Sequence, residues 1–227
     1  AQRSPRRQYD VWVYSDHGQE STIPYPVKHS KSLQQAVGEL FDEFPSIKKL
    51  SAAEESGIQS ERVRWLAGDR KTSTGCNNKG QEPAISLAAM GPLGHLYFDR
   101  ELSDNDRQTI ATKLVKELEI PLVLIPLSSN SAEAFTVDGK FVLPNNAKEI
   151  LGSDHPFLAD ACNDLLQLCH HRDAGDIILS GWSYKEQPLS FPIENGAHAG
   201  PGYEETHGFA LLTKSSPLPD PRKQYLR

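Results

Sequence analysis

An α/β fold, a mostly parallel central sheet flanked by helices with hairpins added, is the class this sequence predicts, and three observations carry the prediction. Short runs of β-branched and aromatic residues alternate with longer segments whose apolar residues recur at helical spacing, the order that builds a sheet covered by helices. The first run, Tyr9 to Tyr14, is apolar at nearly every position and reads as a strand buried on both faces, which needs neighbouring strands. Two later segments, opening near Ser32 and at Pro156, are amphipathic helices.

Bulk properties bound the rest. The 227 residues suffice for one domain with a sizeable core, so a single α/β domain over residues 1–227 is expected. A mean hydropathy of -0.52 with 37% hydrophobic residues describes a soluble globular chain on the polar side of average. With 24 basic against 30 acidic residues the formal charge is -6, so no global field favours nucleic acid as a partner. Arg3, Arg6 and Arg7 read as a solvated lead-in. No apolar run approaches the ~20 residues that span a bilayer, and no signal-peptide pattern opens the chain, so no membrane segment is expected. The three cysteines are odd in number. Cys162 and Cys169 would lie on the order of 10 Å apart on a helix, too far for a disulfide. Reduced thiols suit a cytoplasmic compartment.

The elements follow in order. Tyr9 to Tyr14 stops abruptly at Ser15-Asp16-His17-Gly18, a strand entering a tight turn. From Ser32, Leu33, Val37, Leu40, Phe41 and Phe44 mark one helical face that Pro45 closes. Residues 50–66 read as a helix, and residues 68–83, with Lys71, Gly75, Asn77, Asn78 and Gly80 and almost nothing apolar, as a mobile surface loop without a P-loop pattern. Ala84 to Phe98 gives two short strands around Gly91-Pro92. Ser103 with Asp106 resembles a capping box, opening a helix with Ile110, Leu114 and Leu118 on one face. Leu122 to Ile125 follows as a strand, and Phe135 to Leu143 as a hairpin turning at Asp138-Gly139 and ended by Pro144. Pro156 begins the clearest helix, through Leu158, Ala161, Cys162, Leu165, Leu168 and Cys169. Strands at 176–179, near 189–193 and at 209–213 complete the chain, and residues 215–227, with three prolines, form an irregular tail.

Two constellations carry chemistry. Asp16 and His17 stand where a strand ends, the place where open α/β sheets bind ligands. A carboxylate oxygen and an imidazole nitrogen are donors that zinc or manganese accept, and Gly18 lets the backbone turn so that both converge. The same tripeptide is also ordinary turn chemistry. The second constellation is Glu194-Asn195-Gly196-Ala197-His198-Ala199-Gly200-Pro201-Gly202, followed by Glu204, Glu205 and Thr206. Residues too small to shield it surround His198 at a strand exit, which suits a ligand facing an open cavity; a flexible connection with a bystander histidine has the same composition.

Val13-Tyr14-Ser15-Asp16-His17-Gly18-Gln19 resembles the Asp-His-Gly signature of the alkaline phosphatase superfamily, in particular its type I phosphodiesterase and nucleotide pyrophosphatase branch. Gly196-Ala197-His198, leading into Gly208-Phe209-Ala210-Leu211-Leu212, is similar to the late Gly-x-His segment of that branch, and the two motifs stand in the family order. Pro92 to Phe98 looks like a strand of uncharacterised bacterial members. The resemblance implies an alkaline-phosphatase-like fold and a hydrolase of phosphoesters, of phosphodiesterase or pyrophosphatase type. Its cofactors would be two divalent metals, zinc or manganese. Asp16 and His17 would bind one of them, and His198 would complete the other. The family places its Ser or Thr nucleophile, an early Asp and a further Asp and His ahead of Asp-His-Gly, so the chain is expected to be a C-terminal portion whose partners are a phosphoester substrate and an upstream segment of the same protein.

Secondary candidates complete the expectation. Glu194, Glu204 and Glu205 are candidates to orient a ligating histidine, although solvated carboxylates are commoner, and His207 is a candidate for the edge of the site. His95 has no assigned role. Cys162, Cys169, His170 and His171 read as core and helix-end residues rather than as a zinc module. The rival to a hydrolase is a non-catalytic binding module that keeps the fold.

Overall fold

A computed structural model describes residues 9–42, 44, 50–51, 85–128 and 130–217. Arg3, Arg6 and Arg7, residues 52–66 of the expected helix, the expected loop at 68–83 and the tail from residue 218 lie outside the described residues. In chain order the elements are β1 (Val13–Tyr14), β2 (Glu20–Ser21), β3 (Ile23–Pro24), α1 (Tyr25–His29), α2 (Leu33–Asp42), β4 (Leu50–Ser51), β5 (Ile85–Met90), β6 (Leu93–Phe98) and α3 (Asp104–Glu117). They continue with β7 (Leu122–Pro126), β8 (Ala132–Thr136), β9 (Gly139–Leu143), α4 (Ala147–Leu151), α5 (Leu158–Cys169), β10 (Ile177–Ser180), β11 (Leu189–Ser190), β12 (Gly196–Ala197) and β13 (Ala210–Leu211).

The central sheet is antiparallel, which corrects both the mostly parallel sheet expected from the sequence and the alkaline-phosphatase-like fold that the resemblance implied. Its order is β4-β5-β6-β10-β7-β8-β9. The six strands from β5 to β9 pair antiparallel throughout, and only β4 joins in parallel, through Leu50 and Ile85. Connection length is the cause. Gly91-Pro92 joins β5 to β6, a turn closed by Leu127 N–H to the Ser131 carbonyl joins β7 to β8, and Val137-Asp138 joins β8 to β9. Tight turns can only make antiparallel neighbours. Strand β10 then enters between β6 and β7, with Ile178 opposite both His95 and Leu124.

Helices nevertheless cover both faces. Val123, Ile125, Ile177 and Leu179 pack in one core with α2 and α3, through Val37, Phe41, Ile110 and Leu114. Leu122, Leu124 and Ile178 face the other way, onto Ile150, Cys162, Leu165 and Leu166 of α4 and α5. Adjacent residues of β7 and β10 thus serve opposite cores, and their apolar runs need no parallel sheet to explain them. Helix α3 starts as expected: the Ser103 hydroxyl accepts the Asp106 N–H at 3.1 Å. The thiols of Cys162 and Cys169 are buried and free, and burial pushes Cys169 up to about 12. His170 turns to the Ser131 carbonyl and His171 to Asp173.

Three further expectations are corrected. Tyr9 to Tyr14 is not a buried strand. Only Val13–Tyr14 is strand, and Trp12 and Tyr14 are 58% and 69% exposed, because β1 pairs with β13 alone, outside the large sheet. Leu50–Ser51 is strand rather than the start of a helix. The late strands at 189–193 and 209–213 shrink to β11 and β13, each held by one partner. No helix among the described residues is long and apolar enough to cross a membrane.

The segment 181–191 closes the sheet at its Gly91-Pro92 end. Gly181 N–H donates to the Pro92 carbonyl, Leu189 N–H to the Gly181 carbonyl and Phe191 N–H to the Gly91 carbonyl. Replacing fully buried Leu124 by Ala is expected to lower the unfolding free energy by about 2–5 kcal/mol, and Ser103→Ala by about 0.5–2 kcal/mol, both measured by urea denaturation. A loss well under 1 kcal/mol for Leu124→Ala would remove it from the packed core.

Candidate functional site

The two ends of the described chain are joined by main-chain hydrogen bonds. Val13 and Tyr14 pair with Leu211 and Ala210. Ser15 N–H donates to the Phe209 carbonyl at 3.0 Å, and Phe209 N–H returns to the Ser15 hydroxyl at 2.9 Å. Gly18 N–H donates to the Glu205 carbonyl at 2.8 Å. Strand β2 pairs with β12, and buried Thr22 donates its N–H to the Asn195 carbonyl and its hydroxyl to the Glu194 carbonyl. A glycine at 18 is obligatory for sterics: a Cβ there would collide with the Glu204 carbonyl oxygen and stand 2.5 Å from that of His207. The turn expected of Gly18 is therefore also a point of close backbone approach.

This joining brings the predicted histidines face to face. The rings of His17 and His198 stack with centroids 3.9 Å apart and planes 29° apart. His17 Nδ1 lies 2.6 Å from the Gly18 carbonyl, and a carbonyl only accepts, so Nδ1 carries a proton and Nε2 is the ring nitrogen left for another partner. That Nε2 lies 3.5 Å from Asp16 Oδ1, a ring nitrogen and a carboxylate oxygen close enough for a proton or a cation to join them. Asp16 also accepts the His17 backbone N–H at 3.1 Å and is otherwise exposed. The donor set is of the kind zinc and manganese accept. Among the described residues, no group of three or more His, Cys, Asp or Glu side chains is arranged to hold a metal ion.

His198 stands on a constrained loop. Ala199, next to it, has φ of 81°, a region a residue with a Cβ rarely adopts. Glu205 braces this backbone. Its Oε2 accepts the Ala199 N–H at 2.7 Å, and both of its oxygens accept the Gly200 N–H, at 3.0 and 3.1 Å. Burial pushes the Glu205 carboxyl up to about 7, against the pull of those two N–H groups and of nearby His17, while the Glu20 carboxylate adds to the rise. Glu20 in turn accepts the Glu204 N–H at 2.9 Å.

The remaining candidates sit farther out. The Glu194 carboxylate turns to the Ser190 hydroxyl at 3.4 Å, and what Glu194 gives the site is its carbonyl on Thr22. His207 packs its ring edge-on against Tyr203 and approaches Glu204 at 3.4 Å; its carbonyl borders Gly18. His95 accepts the Gly175 N–H at 3.1 Å within the fold, where burial lowers its pKa. Two residues escaped the sequence reading. His155 places Nε2 2.6 Å from the Pro201 carbonyl and its ring against Trp182. It lines two cavities, of about 640 and 580 Å³, the second of them running between α5 and the Ala199–Gly202 segment. Only its place before Pro156, at a helix start, could have singled it out. Glu20 had no signal beyond its nearness to His17.

Comparison with protein-family models, with curated proteins and with solved structures finds no match to this chain. Gly18→Ala is expected to force the Gly18 backbone off residues 204–207. The overpacking cost of about 1–3 kcal/mol should appear in urea denaturation, together with faster proteolysis of the 199–207 loop. Unchanged stability and cleavage would mean that the close approach does not hold in solution.

Proposed function

We propose that this chain supplies Asp16, His17 and His198 to the divalent-metal site of a phosphoester hydrolase of phosphodiesterase or pyrophosphatase type. The observation that carries the reading is the stacking of His17 on His198 at 3.9 Å. Two motifs from opposite ends of the chain, each resembling a metal-binding segment of one family, lie in contact through these rings, which supports the reading. The tautomer of His17 supports it as well, since a ring whose Nδ1–H is held by a carbonyl presents Nε2 as a donor.

When bound, divalent metals would supply charge stabilisation at the phosphoryl oxygens and would activate a nucleophile. The chain's own residues do the rest of what is proposed for them. Asp16 and His17 provide a carboxylate oxygen and an imidazole nitrogen side by side. His198 faces them from the opposite loop, and Gly18 sets the two loops at contact distance. In this reading the nucleophile and the other ligands come from a segment upstream of Ala1, and the substrate is a small phosphoester.

The test has two parts. The protein with its upstream segment is expected to hydrolyse an aryl phosphodiester with added zinc or manganese. His17→Ala and His198→Ala should each lower kcat/KM by more than about 100-fold, beyond the range of residues that only support ligands, while Cys162→Ala leaves it nearly unchanged. The 227-residue chain alone should bind zinc at less than two equivalents by calorimetry and turn over weakly or not at all. Absence of turnover with any metal would favour the non-catalytic binding module. Loss of zinc on Cys162→Ala but not on His198→Ala would sink the assignment of ligands.

A further inference from the structure

Glu205 touches both histidine-bearing segments, with different parts of itself. Its carbonyl accepts the Gly18 N–H at 2.8 Å, one residue from His17. Its carboxylate accepts the N–H groups of Ala199 and Gly200, the two residues after His198. Ala199 sits at φ of 81°, a conformation that costs on the order of 1–3 kcal/mol and persists only where surrounding groups enforce it. The carboxylate supplies that enforcement. The residue itself is fixed, since it lies in the 3-10 turn Glu204–Thr206, with the Thr206 hydroxyl donating to the Tyr203 carbonyl and the Glu204 N–H held by Glu20.

We propose that Glu205 is a positioning residue: it sets the His17–His198 ring pair by clamping both loops at once, and through that geometry it sets the affinity of the pair for a cation. It acts through hydrogen bonds rather than as a ligand, because both oxygens are committed to backbone N–H groups. One oxygen could serve alone, since Oε2 already accepts from Ala199 at 2.7 Å and from Gly200 at 3.1 Å. The amide of glutamine can therefore replace the carboxylate in this role, and alanine cannot. Only the effect on cation affinity rests on the metal reading above; the ring geometry is independent of it.

The experiment uses NMR on the 227-residue chain, with zinc calorimetry beside it. In the wild type, nuclear Overhauser cross-peaks should connect the ring protons of His17 and His198. Glu205→Ala is expected to abolish them and to weaken zinc binding by about 10- to 100-fold. Glu205→Gln should keep the cross-peaks and lose less than about tenfold in zinc affinity, the lower edge of that range. Thr206→Ala removes a hydrogen bond from the same turn without touching Ala199 or Gly200, and should keep both properties. Retained ring cross-peaks in folded Glu205→Ala would overturn the proposal. So would their equal weakening in Thr206→Ala, which would make the effect a general loosening of the turn, or zinc binding reduced to the same extent in the Gln and Ala variants while the cross-peaks persist in both. Disappearance of the cross-peaks in Glu205→Ala alone, with no zinc binding by any form, would uphold the positioning role and remove the metal reading.

Discussion

The approach of Gly18 to the backbone of residues 204–207 is the constraint on which the rest of the site depends. Only a residue without a Cβ fits there, and its N–H completes the junction by donating to the Glu205 carbonyl. Everything else at this end of the molecule adapts to that distance. The His17 ring is turned by the Gly18 carbonyl, His198 is carried in by a loop whose Ala199 adopts positive φ, and Glu205 spans the gap with a carboxylate that burial makes hard to ionise. A hydrogen bond between neutral groups stabilises by only about 0.5–1.5 kcal/mol net. The arrangement is therefore decided less by any one bond than by the lack of space for an alternative.

The large sheet contributes a rigid edge rather than the ligands themselves. Its Gly91-Pro92 turn and the Gly181 backbone anchor the segment up to Phe191, and the paired strands β3/β11 and β2/β12 extend from there toward the histidines. The Gly91 backbone comes close to the His198 carbonyl: a Cβ added at 91 would stand 3.1 Å from it. Function-bearing loops held by a packed scaffold are the general pattern, although the expected location, the carboxyl end of a buried parallel strand, does not apply. Strand β1 is exposed and belongs to a separate ribbon.

What was legible in the sequence divides along physical lines. Helical periodicity located α2, α3 and α5, because burial of one face repeats along the chain and is visible locally. Turn residues at Gly91-Pro92 and Asp138-Gly139 located the hairpins. Strand direction was misread, since an apolar run such as Leu122 to Ile125 records only that both faces are covered, and helices cover both faces here of an antiparallel sheet. Motifs, not patterning, singled out Asp16, His17 and His198, and the contact the structure shows between the two segments is that of His17 with His198. Glu205 stood among three carboxylates that could orient a histidine, and the sequence could not single it out, because a Gly-rich stretch with Glu204 beside it has the composition of a solvated loop.

The position of β10 bears on how the molecule comes together. Strands β5 to β6 and β7 to β9 are two local units that fold from near neighbours, yet they share no edge with each other. The strand between them comes from beyond α5, so their junction must wait until residues 177–180 have been synthesised and delivered. Until then β6 and β7 each offer an unpaired apolar edge, the kind of surface on which chains associate wrongly. The sheet depends on a non-local strand, and pairings of that kind fold more slowly than the contacts of locally connected helical proteins. A chain interrupted before Ile177 would lack the strand through which the two hairpin units are joined.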